Sequence, residues 1–331
     1  MLVNVISESA RFPGQGVDTA FKENVRILSG IDAASVVVNS RQPADIVHIH
    51  TIGPVGWRGL LFARGKKVVS AHLTPDSFVG SFVGARYWYP LAKLYLRWFY
   101  NRADLVLAVS DDVKSQLFKM GVKKHVEIYE NYIDVSPYHN SPEIRSDTRK
   151  KLNFRDDEFI VICVGQVQPR KGIKTFIEAA RKLPDLKFVW VGGIPFKNIA
   201  ADYGEMKKIM ASPPANVLFT DTIPREDSVS YFKAANLFFM PSYQETFGIV
   251  VVEAAAAGLP VLVRDLDQYK KSFTGGYITG DERNFTKIIS DLKNNPDFYK
   301  DGQTKAATIA ERYGSHTGLQ KLLGYYNLLL K

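Results

Sequence analysis

The chain has 331 residues, which is long enough for two domains with separate cores. Its net charge is +9 at neutral pH and its sequence pI is near 9.3. The positive charge favours an anionic partner, and nucleic acid, anionic lipid or a nucleotide would each satisfy it. The composition excludes a disulfide framework, since Cys163 is the only cysteine, and the histidines and the cysteine show no metal-ligand spacing. No run of eighteen apolar residues occurs, so we expect a cytoplasmic protein whose membrane contact is peripheral.

The first half of the chain alternates short apolar runs with helical or turn-like segments. Residues 2–7 predict a strand, and the sequence PGQG at 13–16 precedes a helix predicted over about 18–28. Further strands are predicted at 35–38, 46–49, 68–71 and 105–109, which is the pattern of a doubly wound parallel sheet. A glycine turn between strand and helix brings backbone N–H groups against phosphate, so Gly14 and Gly16 are candidates for phosphate contact. The spacing is not G-x-G-x-x-G, and a plain turn is the alternative.

A histidine, His72, directly follows the strand predicted at 67–71. Ligands of open α/β sheets bind at the carboxyl ends of the strands, which makes His72 a candidate for ligand contact, with a structural histidine as the alternative. His48 and His50 alternate with apolar residues, and we predict packing or turn roles for them.

The segment 82–102 is rich in aromatic residues and cations and contains no acid. At helical spacing the aromatic side chains of this segment share one face of the predicted helix and the cations share another. Such an amphipathic helix is suited to binding an anionic membrane surface. The candidate membrane-binding residues are Arg86, Trp88, Lys93, Arg97 and Trp98. A core helix with solvated cations and a nucleic-acid surface are the alternatives, and Pro90 predicts that the helix begins there.

Residues 134–149 show no periodicity, and we interpret them as the linker to a second α/β domain. That domain is predicted to begin with a strand at 159–164, followed by GQVQPRKG at 165–172 and a helix ending at Lys182. A strand at 186–191 ends in Gly192, Gly193 and Ile194. Glycines after a strand let the chain pass closely over a flat base, so Gly193 and Ile194 are candidates for nucleobase contact.

The stretch 241–261 predicts the end of a strand, a turn, a helix and the start of a further strand, with Glu245 and Glu253 eight residues apart. The first free N–H groups of the helix, near Thr246, Phe247 and Gly248, would bind phosphate. The carboxylate of Glu253 suits the paired hydroxyls of a ribose, while Glu245 would reach another part of the same ligand. Asp265 and Asp267 have the D-x-D form of metal-dependent transferases but follow the next strand, so we interpret them as a turn and expect no essential metal.

The pattern S-x-x-E-x-F-G-x-x-x-x-E-A-x-A-x-G-x-P-V from Ser242 to Val261 resembles the E-x7-E signature of retaining glycosyltransferase family 4. The resemblance implies the GT-B fold, an α/β architecture of two facing, Rossmann-like, doubly wound domains with an interdomain cleft. It implies an acceptor-binding domain at 1–140, a nucleotide-sugar-binding domain at 150–312, and a C-terminal helix at 313–331 that crosses back to the first domain.

The resemblance also assigns roles to the candidate residues. The segment from Gly165, itself a candidate donor contact, is similar to the family's G-R-x-x-x-x-K-G, whose arginine and lysine neutralise the departing diphosphate. Lys171 matches the lysine, Gln166 occupies the place of the arginine, and Arg170 is the candidate replacement. His72 stands where the family has a histidine near the reacting carbon of the donor sugar.

By resemblance, the expected activity is a retaining, metal-independent hexosyl transfer from UDP-glucose or UDP-galactose to a membrane glycosyl-diacylglycerol. No cofactor and no nucleic-acid partner are expected, and the protein would lie on the inner face of the cell membrane. The alternatives are a family member of capsule or other polysaccharide synthesis, and a binding protein that retains the nucleotide-sugar pocket without turnover.

Overall fold

A computed structural model describes residues 1–9, 16–30, 33–78, 85–194 and 202–331. The candidate Gly14 lies outside the described residues, and the side chain of Arg86 is not described either. The chain divides into two compact units. Unit 1 contains the described residues of 1–78, 85–134 and 313–331, and unit 2 contains those of 135–312.

Unit 1 is built on a parallel six-stranded sheet in the order β2-β1-β3-β4-β5-β6. Its strands are β1 (Leu2–Ile6), β2 (Ser35–Val38), β3 (Ile46–Ile49), β4 (Lys66–Ala71), β5 (Leu105–Ala108) and β6 (His125–Ile128). The helices are α1 (Gly16–Ser29), α2 (Pro54–Phe62), α3 (Pro75–Phe78), α4 (Ala85–Tyr100), α5 (Asp111–Met120) and, from the end of the chain, α14 (Ser315–Leu330).

Unit 2 has a second parallel six-stranded sheet, in the order β12-β11-β10-β7-β8-β9. Its strands are β7 (Ile160–Val164), β8 (Lys187–Val191), β9 (Val217–Phe219), β10 (Leu237–Met240), β11 (Val261–Arg264) and β12 (Ile278–Gly280). Its helices are α6 (Pro142–Lys151), α7 (Ile173–Lys182), α8 (Tyr203–Ala211), α9 (Arg225–Ala234), α10 (Ile249–Ala256), α11 (Asp267–Ser272), α12 (Phe285–Asn294) and α13 (Pro296–Arg312).

The strands form continuous apolar runs in the sequence because they lie in the cores of the two units. All residues of β3, β5 and β10 are buried, as expected for parallel strands covered by helices on both faces. The fold class predicted from the sequence, two Rossmann-like α/β domains of the GT-B type, is therefore confirmed.

Two local predictions are wrong. Residues 142–149 of the expected linker belong to helix α6, which forms because Ser141 caps its first turn and basic residues occupy its last turn. Helix α4 begins at Ala85, five residues before Pro90, because a proline near the N-terminal end removes only one intrahelical hydrogen bond.

Candidate active site

The turn between β10 and α10 has a backbone conformation that requires glycine. Gly248 precedes the helix with φ +88°, in the left-handed region, and a Cβ atom there would lie 3.2 Å from the Tyr269 ring. Phe247 is buried and packs edge to face against Phe273 at 5.2 Å. The turn, which includes Thr246, therefore carries the chain from the carboxyl end of β10 to the start of α10, where the first N–H groups have no carbonyl partner four residues earlier within the helix.

Lys171 and Glu245 form a largely buried ion pair at this turn. The Lys171 Nζ lies 2.5 Å from the Glu245 Oε1, and the two side chains are 13% and 5% exposed. Burial alone would raise the pKa of Glu245, but the charges of Lys171 and Arg170 outweigh it and hold that pKa below its usual value. Burial lowers the pKa of Lys171, and the attraction of Glu245 offsets only part of this effect. The structure thus brings together two residues that are 74 positions apart in the sequence.

The glycine after Lys171 is required by a close approach of the chain. Gly172 has φ +76°, and a Cβ atom there would lie 2.2 Å from the Pro241 carbonyl oxygen. Tyr243 donates its backbone N–H to the Arg170 carbonyl at 2.8 Å. The loop before α7 and the turn after β10 are therefore held directly against each other, and the Lys171–Glu245 pair depends on this contact.

The Arg170 side chain points along the same turn. Its Nε donates to Gln168 Oε1 at 3.0 Å, and one terminal nitrogen lies 3.4 Å from the Gln244 carbonyl oxygen. Its charge contributes to the lowered pKa of Glu245, so Arg170 is a second positive charge, beside Lys171, near this carboxylate. A cation is thus present in this loop although Gln166 stands where the resembled family has its arginine.

Glu253, one to two turns into α10, is bonded to two side chains that sequence reasoning did not identify. Its Oε1 accepts from the Tyr138 hydroxyl at 2.8 Å and from Arg225 Nε at 3.1 Å. The Glu253 side chain is 4% exposed and that of Arg225 is 24% exposed. The carboxylate suggested for a ribose is thus held in place by protein donors, and no local pattern around Tyr138 or Arg225 signals this contact.

The glycines predicted to contact the donor lie at the ends of β7 and β8. Gly165 has φ +152°, and its carbonyl accepts from Trp190 Nε1 at 2.9 Å. A Cβ atom on Gly193 would lie 2.0 Å from Asp221 Oδ1, so the backbone approaches closely there. Ile194, the last described residue of this segment, is half-buried.

The D-x-D carboxylates interact with one lysine. Asp265 Oδ1 and Asp267 Oδ1 each lie 3.2 Å from Lys270 Nζ, and both side chains are more than half exposed. Among the residues that the structure describes, no cluster of three or more histidine, cysteine or acidic side chains has the geometry of a metal site.

In unit 1, His72 directly follows β4 and is 8% exposed. Its Nε2 lies 3.2 Å from Nδ1 of His50, and the two rings stack with centroids 5.4 Å apart. Burial lowers the pKa of His72 to about 4 and that of His50 well below its usual value, so both rings are neutral at pH 7. Gly16, the described member of the glycine pair predicted to contact phosphate, is the first residue of α1.

Helix α4 presents an apolar face to solvent. Tyr87, Leu91 and Leu94 are 93%, 70% and 63% exposed, and their spacing places them on one stripe. The cations Lys93 and Arg97 are exposed on an adjacent stripe. The two tryptophans expected on the aromatic stripe, Trp88 and Trp98, are half-buried, and the Trp98 ring stacks under the Arg102 guanidinium at 4.0 Å.

Within the described ranges, none of the helices has the length and hydropathy of a membrane span.

Comparison with family profiles covers most of the chain. The family described as "Glycosyl transferases group 1" matches residues 144–307. The family described as "Glycosyltransferase Family 4" matches residues 20–137. Together, the two matches include the central parts of unit 2 and unit 1.

Two curated relatives match over most of this chain and over most of their own length. Alpha-galactosylglucosyldiacylglycerol synthase of Streptococcus pneumoniae is 32% identical over 98% of this chain and 88% of its own length. Processive diacylglycerol alpha-glucosyltransferase of Acholeplasma laidlawii is 30% identical over 77% of this chain and 75% of its own.

Solved structures share the fold at lower sequence identity. HepE of Anabaena, solved in complex with UDP and glucose, has a TM-score of 0.79 at 19% identity and matches over 98% of this chain and 99% of its own. Sucrose-phosphate synthase of Thermosynechococcus elongatus has a TM-score of 0.81 at 16% identity and matches over 99% of both chains.

Proposed function

The chain belongs to glycosyltransferase family 4, and from this membership we propose that it transfers glucose or galactose from a UDP-sugar to the sugar of a membrane glycosyl-diacylglycerol. The product is a diglycosyl-diacylglycerol. The observation that carries the proposal is the similarity, over 98% of the chain, to a synthase of S. pneumoniae whose name specifies a galactosylglucosyl-diacylglycerol. The similarity to a diacylglycerol glucosyltransferase of A. laidlawii supports the same class of acceptor.

Unit 2 binds the nucleotide sugar in this proposal, and unit 1 binds the acceptor. The free N–H groups at the start of α10 and the cations Lys171 and Arg170 face the diphosphate, while Glu253 accepts hydrogen bonds from the ribose. Arg225 and Tyr138 hold the Glu253 carboxylate in a fixed orientation. Gly165, Gly193 and Ile194 contact the nucleobase.

The reaction retains the configuration of the sugar. The bond between the anomeric carbon and the diphosphate oxygen breaks, a bond to the acceptor hydroxyl forms on the same face, and the departing phosphate takes the acceptor proton. Negative charge grows on the diphosphate as this happens, and Lys171 and Arg170 stabilise it. Because the cations come from side chains, the proposed mechanism requires no metal ion.

The acceptor is reached by peripheral membrane binding through α4. Tyr87, Leu91 and Leu94 insert at the headgroup boundary, and Lys93 and Arg97 contact anionic lipid. A basic chain with an exposed apolar face and cations on the same helix supports this placement.

The direct test is incubation of the purified protein with radiolabelled UDP-glucose or UDP-galactose and vesicles that contain monoglycosyl-diacylglycerol, followed by linkage analysis of the lipid product. We expect a diglycosyl lipid with a newly formed α-linkage, at the same rate with and without EDTA. A β-linked product would contradict retention, and loss of activity with EDTA would contradict the metal-free mechanism.

The same assay separates the competing functions. A non-catalytic binding protein would bind UDP-sugar but yield neither glycolipid nor hydrolysed donor. Transfer to a soluble oligosaccharide in preference to the vesicles would place the protein among the polysaccharide-building members of the family.

A further inference from the structure

A buried hydrogen-bonded chain in unit 1 ends at His72. The Tyr129 hydroxyl donates to Asn24 Oδ1 at 3.0 Å, Asn24 Nδ2 lies 3.3 Å from His50 Nε2, and His50 Nδ1 lies 3.2 Å from His72 Nε2. Tyr129, Asn24 and His50 are 3%, 5% and 2% exposed, so these groups must satisfy one another. These hydrogen bonds join α1 to the residues that directly follow β3, β4 and β6.

The order of donors in this chain determines where each proton lies. With its oxygen accepting from Tyr129, the Asn24 amide turns its NH₂ group, which only donates, toward His50. The Nε2 of a neutral His50 must then be the acceptor, and its proton lies on Nδ1. That Nδ1–H donates to His72 Nε2, which leaves the His72 proton on Nδ1.

We infer that His50, oriented by Asn24 and Tyr129, is a positioning residue that fixes His72 as a neutral ring with its hydrogen-bond donor at Nδ1. Among the described residues, no partner is recorded for this nitrogen. Because its Nε2 lone pair is already engaged, His72 donates a hydrogen bond to a substrate oxygen and does not act as a general base. The role toward substrate rests on the proposed function, in which the departing phosphate takes the acceptor proton and no protein base is needed.

His48, which lies in β3 two residues before His50, provides a matched control. It is completely buried and its ring lies 4.3 Å from that of His50, but its own hydrogen bonds go to Tyr326 Oη at 2.7 Å and Ser70 Oγ at 2.8 Å. Both partners are hydroxyls, which donate or accept equally well, so they impose no tautomer on the chain that ends at His72.

The tautomer is measured by long-range ¹H–¹⁵N correlation spectra of protein labelled in histidine, at pH 7, without substrate. Signals of His72 and His50 are assigned by their loss in His72→Gln and His50→Gln. We expect His72 with a protonated Nδ1 and a bare Nε2, and the same pattern in His48→Gln. A proton on His72 Nε2, or on both of its nitrogens, overturns the inference whether or not the protein is an active transferase.

Two variants test the individual hydrogen bonds that connect Tyr129 to His72. Tyr129→Phe removes the donor that orients the Asn24 amide, so the Nε2–H form of His72 should appear beside the Nδ1–H form. His50→Leu removes the hydrogen bond to His72, and the proton of His72 should then exchange between its two nitrogens. Unchanged His72 signals in both variants would refute the positioning role.

Kinetics then connect the tautomer to turnover. His50→Leu should lower kcat about tenfold, the size expected for one lost hydrogen bond, with a smaller change in the KM of the donor. His50→Gln keeps an N–H that reaches His72 and should recover most of the loss. If the two variants are equally impaired while both fold normally, His50 acts through packing and the inference fails. If the wild-type protein transfers no sugar, the proposed function fails and the spectra still decide the tautomer.

Discussion

The ion pair of Lys171 and Glu245 is the feature of single residues that bears most directly on the proposed chemistry. The carboxylate holds the lysine at the turn, and burial keeps both groups out of water. In a poorly hydrated site, a fixed cation interacts strongly with charge that develops on a leaving group. The pair therefore combines a structural contact with a proposed catalytic one.

Replacing Lys171 by methionine separates these two roles, because methionine has a similar length and no charge. We expect kcat to fall by about 10²–10³-fold, as for loss of other fixed charge-stabilising donors. Lys171→Met also leaves Glu245 unpaired, so thermal unfolding should be measured with it. The double variant Lys171→Met, Glu245→Gln should regain stability but not activity.

Lys174 is the matched control for that substitution. It is the second residue of α7, its side chain is 61% exposed, and it pairs with Glu205 at 2.8 Å. Lys174→Met should leave kcat and stability nearly unchanged. Equal kcat in Lys171→Met and Lys174→Met would refute the assignment of Lys171.

Tyr269 offers a second prediction for a single residue. Its side chain is completely buried beside Gly248, and its hydroxyl has no hydrogen-bond partner among the described residues. Since an unsatisfied buried polar group costs about 1–3 kcal/mol, Tyr269→Phe should leave the free energy of unfolding unchanged or raise it. The measurement is urea unfolding without substrate.

Tyr326→Phe is the control for Tyr269→Phe. Tyr326 is equally buried, but its hydroxyl is bonded to His48. Loss of that bond should lower the free energy of unfolding by about 1 kcal/mol or more. A lower unfolding midpoint in Tyr269→Phe than in wild type would mean that the Tyr269 hydroxyl has a stabilising partner.

At the scale of single elements, α4 combines two faces with different roles. Ala92, Leu96 and Phe99 are buried against unit 1, while Tyr87 and Leu91 point to solvent. A helix that buries only one side and exposes large apolar residues on the other is unusual for a soluble surface. The proposed membrane contact explains the exposed residues, and the buried ones explain why the helix packs against the rest of unit 1.

The vesicle-binding prediction belongs to this helix. Neutralising Lys93 and Arg97 together, as Lys93→Gln and Arg97→Gln, should weaken binding to phosphatidylglycerol vesicles by about 2 kcal/mol, or roughly 30-fold. Sedimentation with vesicles at low salt measures this. Lys287→Gln and Lys305→Gln, which remove two cations from α12 and α13, should change binding little. Equal effects of the two pairs would show that net charge, and not α4, determines the binding.

For the molecule as a whole, three buried histidines predict how stability depends on pH. Burial lowers the pKa of His48 to about 3 and of His72 to about 4, and lowers that of His50 well below the ordinary 6.5. The folded protein keeps these rings neutral, whereas the unfolded chain binds a proton on each below pH 6.5. Stability from these groups is fully present above pH 6.5 and is lost as the pH falls toward the folded pKa values.

Urea unfolding at pH 7.5, 6.5 and 5.5 measures this dependence. The unfolding free energy of unit 1 should decline on acidification with a limiting slope of about three protons, or about 4 kcal/mol per pH unit. His48→Gln should reduce the slope by about one proton. Equal stability from pH 7.5 to 5.5 would contradict the neutral state of the three rings.

The sequence by itself determined the fold class and the family. Strands buried on both faces read as apolar runs, and the E-x7-E pattern is a local signature of one turn and one helix, so neither requires knowledge of distant contacts. The roles assigned to His72, Arg170 and the donor-binding glycines remain predictions. The segment that forms α6 was wrongly predicted to be a linker, because a capped helix of mostly polar residues has little hydrophobic periodicity.

Only the tertiary structure decided which side chains meet. Tyr138 and Glu253 are 115 positions apart, and Tyr129 and Asn24 are 105 apart, yet each pair shares a hydrogen bond. His48 and His50, predicted as packing or turn residues, prove to be hydrogen-bonded, and His50 contacts His72. The physical reason is that periodicity records which face of an element is buried, whereas a hydrogen bond between distant residues depends on how the elements pack.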